Sequence, residues 1–170
     1  MQMKFKPRPR FEAGFVLGDD LGERDSLSGR LFVQPRVELP GGRQMLLDDA
    51  LGRGFRLLVF GPPAGDPVPE LSLPASLGVE RFFIVPRDYN FPHPLPAGGE
   101  RNLLRDAEGG IEAVLRPYGP CAVLLRPDRY VAAVMPLANL ELAGRGLAGL
   151  VDATRRPAYQ AAAESQVLNR

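Results

Sequence analysis

The sequence holds one cysteine, one histidine and no tryptophan in 170 residues. A lone cysteine, Cys121, cannot close an internal disulfide, so nothing in the chain requires an oxidising compartment, and the expected location is the cytoplasm. One Cys and one His also leave too few soft donors for a zinc site, which normally takes three or four. Net charge is nearly absent. The 21 Lys and Arg against 20 Asp and Glu give +1, too small a field to draw in nucleic acid or an anionic membrane. No apolar run reaches the roughly 18 residues of a membrane-spanning helix, and no basic-then-apolar segment opens the chain.

The residues present are those of a soluble domain. Hydrophobic residues make up 45% and charged residues 24%, which suits one globular unit with an arm rather than a disordered chain. The 19 Gly and 18 Pro lie well above the roughly 12% of average usage, so turns and extended connections are abundant and a long helical bundle is excluded.

Residues 1–30 read as an extended arm. Lys4 to Phe11 alternates basic residues with Phe5, Pro7, Pro9 and Phe11, a pattern that disfavours helix before each proline. It contains the only two lysines, Lys4 and Lys6. Four cations without an aromatic platform make a poor nucleic-acid tail, so docking on a protein surface is the expected role. A domain over residues 31–152 and a polar tail over 153–170 follow.

Within the domain, Arg30 to Leu39 has apolar residues at Phe32, Val37 and Leu39, interrupted by Pro35, and turns at Pro40-Gly41-Gly42-Arg43 into a returning strand at Gln44 to Leu47. Asp48 to Gly52 reads as one helical turn with Asp49 as its cap and Gly52 or Gly54 as its stop. Phe55–Phe60, Arg81–Val85 and Cys121–Arg126 are near-continuous apolar runs, the mark of strands buried on both faces. A short helix fits around Leu73 to Leu77. Arg87 to Gly99 is loop, and Asp106 to Gly110 a turn. Ile111, Val114 and Leu115 share one helical face, which ends by Pro117. Pro127-Asp128 turns the chain into a last strand, Tyr130 to Met135. Leu137, Leu140, Gly144, Leu147 and Val151 form a closing helical stripe.

Strands joined through a helical connection run parallel by a right-handed crossover, while the last two form a hairpin. The order strand, helix, strand, helix, strand, strand, helix predicts an α/β, thioredoxin-like fold with a central mixed β-sheet flanked by helices. A redox thioredoxin places a low-pKa thiolate after its first core strand. Here that position reads Gly61-Pro62-Pro63-Ala64-Gly65-Asp66, and Cys121 begins an apolar strand as a small hydrophobe. His93 has no Ser, Cys or Asp partner nearby in sequence. Asp48-Asp49 is expected to cap a helix rather than bind metal. Gly41-Gly42, Gly98-Gly99 and Gly109-Gly110 match no phosphate-binding or dinucleotide pattern. The expected catalytic, cofactor-binding and metal-binding sets are therefore all none.

Three stretches carry a family resemblance: Lys6-Pro7-Arg8-Pro9-Arg10-Phe11, then Gly29 to Val37, then Leu46-Leu47-Asp48-Asp49-x-Leu51-Gly52-x-Gly54-Phe55-x-Leu57-Leu58. Together with Ala122 to Ala133, in which Arg129 stands where the family usually has Gly, they resemble the C-terminal part of flavin-dependent aromatic-ring hydroxylases. The resemblance is to the 3-(3-hydroxyphenyl)propionate hydroxylase group, with phenol hydroxylase-like and polyketide hydroxylases as wider relatives, and it covers about residues 4 to 151. It implies a non-catalytic structural or association domain of a larger enzyme that uses FAD and NAD(P)H to hydroxylate a phenolic ring. The flavin-binding and substrate domains of that parent would be its partners, with a homodimer expected and no cofactor in this segment. Two alternatives remain open for a stand-alone chain: a thiol-dependent enzyme using Cys121, or a small-ligand module using the aromatic loop Tyr89 to Leu95.

Overall fold

A computed structural model of the chain describes residues 10–11, 15–17, 26–61, 71, 73, 75–91, 102–141 and 143–149. Seven strands form one mixed sheet: β1 (Arg36–Glu38), β2 (Gln44–Leu46), β3 (Arg56–Phe60), β4 (Glu80–Val85), β5 (Leu103–Asp106), β6 (Cys121–Leu125) and β7 (Val131–Pro136). Their spatial order is β2-β1-β5-β4-β3-β6-β7. Strands β3, β4 and β5 run parallel, β6 lies antiparallel to β3, and β6–β7 is an antiparallel hairpin. The fold is α/β and thioredoxin-like.

The runs legible as buried strands are buried for the expected reason. Every residue of β3 and β6 is covered on both faces, which only a central position permits. One face carries Leu58, Phe60, Phe82, Ile84, Leu104, Cys121 and Val123 and packs beneath α1 (Leu47–Leu51) and α2 (Gly110–Leu115). The other carries Leu57, Val59, Ala122, Leu124 and Met135. It is closed by Leu140 and Leu147 of α3, helical over residues 140–149 apart from 142, which lies outside the described residues.

Four expectations change. Residues 103–106, where the sequence shows no strand and a turn is expected from Asp106, form β5, which pairs in parallel with β4. The Arg30 to Leu39 run is a named strand only after Pro35, which breaks it: β1 starts immediately after the proline and lies between β2 and β5. Asp49 does not cap α1. The N-cap is Leu46, with no side-chain hydrogen bond, and both aspartates lie in the first turn. The short helix expected around Leu73 to Leu77 is a single 3-10 turn, Ala75–Leu77.

The described part of the arm follows the outer edge of β7. The Leu17 N–H donates to the Ala132 carbonyl at 2.7 Å, the Gly29 N–H to Val131 at 2.8 Å, and the Val131 N–H to Arg30 at 2.8 Å. The Phe11 N–H donates to the Gly29 carbonyl at 2.8 Å. Gly29 has φ +77°, and a Cβ there would lie 2.1 Å from the Phe11 carbonyl oxygen, so only glycine lets the two segments approach. Lys4 to Pro9, His93, Leu95, Gly98-Gly99, Val151 and the tail lie outside the described residues.

Candidate functional site

The parallel strands β3 and β4 place their C-terminal ends beside the start of β6, since Phe60 pairs with Cys121. This is where a thioredoxin-like sheet would present its chemistry. Gly61 lies against Pro120, whose Cα would be 3.5 Å from a Cβ at Gly61. Cys121 is fully buried, and burial pushes its thiol from 9.0 up to about 12. A nucleophilic thiolate needs the opposite environment, electropositive and partly open. The side chain is a small apolar unit of the core, packed with Phe60, Val123 and Val134.

Asp48 and Asp49 separate in role. Asp48 receives the Arg129 guanidinium, with Nε at 3.0 Å from Oδ1, while Asp49 is exposed. Arg129 Nη2 also donates to the carbonyls of Asp48, at 3.2 Å, and Gly52. From the other side Arg56 donates Nε to the Leu51 carbonyl at 2.6 Å and its two terminal nitrogens to Phe55 and Arg53. A five-residue helix with no basic residue in its last turn thus has its C-terminal carbonyls held by two arginines from β3 and the β6–β7 turn, where cations complement the helix dipole. Sequence reasoning missed this pair. The available signal was Arg129 itself, a long cation at the end of the Pro127-Asp128 turn, where glycine is the ordinary residue.

Asp106, at the end of β5 and fully buried, accepts the N–H groups of Ile111 and Glu112 on Oδ2 at 2.8 and 2.9 Å. It caps α2 from outside the helix, while Oδ1 has no partner among the described residues. Gly110 lets α2 approach Pro35, since a Cβ there would lie 3.0 Å from the proline Cβ. The Gly109-Gly110 junction between strand and helix is therefore unsuited to a flavin or nicotinamide pyrophosphate. Its first-turn N–H groups are already taken by a carboxylate, and a second anion would meet that charge. The Gly41-Gly42 pair is the β1–β2 turn, where the Gly42 N–H donates to Leu39.

Of the aromatic loop, Tyr89 and Phe91 are described. Arg105 donates to the Tyr89 carbonyl at 3.1 Å, pairs with Glu38, and lies 5.2 Å from the Phe91 ring centre. These contacts pin the loop start onto β5 rather than holding two aromatics open as a binding wall. Among the described residues no group of three or more His, Cys, Asp and Glu could hold a metal ion, and no helix is long and apolar enough to cross a membrane.

Comparison with known proteins agrees with this geometry. A family model described as HcaD C-terminal domain matches residues 29–149. The 3-(3-hydroxy-phenyl)propionate/3-hydroxycinnamic acid hydroxylase of Klebsiella pneumoniae is 29% identical over 142 residues, covering 79% of this chain and 24% of that enzyme. The enzyme of the same name from Mycobacterium avium is 30% identical over 140 residues, covering 78% and 23%, and that of Escherichia coli 29% over 160 residues, covering 91% and 28%. The chain therefore spans about a quarter of the length of these relatives. Among solved structures, aklavinone-11 hydroxylase with FAD and aklavinone matches 84% of this chain and 25% of its own, with TM-score 0.52 and 21% identity. The flavin-dependent monooxygenase PieE, in complex with FAD and substrate, matches 85% and 25%, with TM-score 0.54 and 20% identity. At these identities the structural likeness is one of fold.

Proposed function

Because the chain belongs to the HcaD C-terminal domain family, we propose that it is the non-catalytic association domain of an FAD- and NAD(P)H-dependent hydroxylase of phenolic rings. The observation that carries this reading is the extent of the match: 79% of this chain against 24% of the relative. A segment of that size, with its one thiol buried and protonated, supports docking rather than chemistry. On this reading the flavin and the nicotinamide are held by other domains of the parent enzyme, which are this chain's partners. The assembled enzyme is a cytoplasmic homodimer that degrades an aromatic compound.

The division into an arm over 1–30, a domain over 31–152 and a tail over 153–170 belongs to the same proposal, with the arm leading from the neighbouring domain. The full chain purified in the presence of FAD is expected to retain no flavin absorbance and to oxidise no NAD(P)H with phenolic acids. Stoichiometric yellow protein would overturn the reading. A thiol-dependent activity has less support, because Cys121 lies in the core with its pKa raised to about 12; such an activity would have to disappear on Cys121→Ala.

A further inference from the structure

The end of the sheet opposite Cys121 carries a cleft of about 230 Å³. Leu57, buried on β3, lines it together with Leu71, Leu73, Ala75, Gly78 and Val79 of the segment leading into β4. Arg81 completes the lining. It is the direct register partner of Leu57 across the parallel β3–β4 pair, so both side chains project from the same face. The neighbouring acid, Glu80, is already paired with Arg56 at 3.4 Å. The Arg81 side chain has no ion pair or hydrogen bond among the described residues, although its backbone carbonyl accepts from Asn102 at 2.6 Å. A half-buried arginine that lines the cleft beside aliphatic side chains and spends its guanidinium on no described partner is a donor fork suited to a carboxylate.

We propose that this cleft binds a small monocarboxylate with a compact apolar body, its carboxylate on Arg81 and its hydrocarbon against Leu57, Leu71, Leu73 and Val79. The volume lies below the roughly 300–1,000 Å³ of sites for drug-sized molecules, which limits the ligand to a single ring or short chain. The cation selects an anion, and Arg81, the one charged side chain among the described lining residues, matches a single carboxylate. The proposal does not depend on the association reading, because the cleft is formed within this chain.

The test is fluorine NMR of 4-fluorophenylacetate with the full chain, with 2-(4-fluorophenyl)ethanol as the uncharged probe. Saturable binding of the acid is expected. It should weaken about ten- to a hundredfold in Arg81→Gln and for the alcohol, as loss of a charge-assisted hydrogen-bond pair implies. Arg81→Lys should recover part of it, and Arg87→Gln, at an exposed position beyond β4, should leave it unchanged. Thermal unfolding of each variant reports that the fold is intact, and the comparison of the two probes on the unaltered chain needs no variant. No saturable binding at millimolar acid, equal binding of acid and alcohol, or indifference to Arg81→Gln in a folded variant would each overturn the proposal. So would a change in oligomeric state on Arg81→Gln without a change in probe binding, which would assign the cleft to a second copy of the chain.

Discussion

Arg129 holds a left-handed backbone, φ 67°, and is the only non-glycine residue described there. It occupies the last position of a three-residue hairpin loop closed by Arg126 N–H to Tyr130 at 2.9 Å, where a left-handed residue is expected and glycine costs least. The strain of about 1 kcal/mol is outweighed by what the side chain does, since its guanidinium bonds to the Asp48 carboxylate and to two helix-end carbonyls. Arg129→Gly relieves strain but loses those bonds, for an expected net loss of about 1–3 kcal/mol. Arg129→Ala loses the bonds and keeps the strain, so it should be about 1 kcal/mol worse. A urea midpoint for Arg129→Gly above that of the parent chain would show that the backbone, not the guanidinium, decides.

Cys121 offers a second test at this scale, with the sign set by linkage. Its folded pKa is raised from 9.0 to about 12, so between those values the unfolded state has released a proton that the folded state still holds. Stability attributable to the thiol is complete below pH 9.0 and falls as pH rises toward 12, by at most about 1.4 kcal/mol per unit. The stability difference between the parent chain and Cys121→Ala should therefore narrow across that window. Alkylation of the native protein should proceed only at the rate of unfolding.

At the scale of elements, the arm is held by backbone bonds and by the glycine that permits them. Gly29→Ala places a methyl on the Phe11 carbonyl and forces a left-handed alanine. The expected loss is about 1–3 kcal/mol, together with faster proteolysis before residue 26. Unchanged proteolysis would show that the edge-to-face contact of Phe15 with Phe55, 5.4 Å between ring centres, holds the arm without Phe11. The elements legible in the sequence were those whose burial left a pattern. β3, β4, β6 and β7 show as apolar runs, and α2 and α3 show as stripes. β5 left no such signal: its four residues include Arg105 and Asp106, and the buried Asp106 is a capping group rather than a hydrophobe. α1 was placed correctly but its cap was not, because the groups that complete it, Arg56 and Arg129, are remote in sequence. The lack of a thiol after β3 is a local fact, whereas Arg81 acquires its meaning only when β3 and β4 are set side by side.

At the scale of the whole molecule, the sheet is a plate with two cores. Leu58 faces the core under α1 and α2, Leu124 the core under α3, and both are fully buried. Their strands pair directly in register, Leu58 with Val123 and Leu57 with Leu124, so neither core can melt without loosening the strands that wall the other. Leu58→Ala and Leu124→Ala are each expected to remove about 2–5 kcal/mol, a large share of the roughly 5–15 kcal/mol available to a domain of this size. Each should shift a single unfolding transition rather than split it, and hydrogen exchange in β3 and β6 should accelerate equally in both variants. Two separate transitions would mean that the faces are independent layers. A single one bears on how the domain works in either proposed role, because Leu57 at once lines the Arg81 cleft and forms part of the shared strand. A ligand there must then stabilise the far face as much as the near one, raising the global midpoint by the amount its occupancy dictates. A domain that answers as one body presents a fixed surface to whatever it docks against.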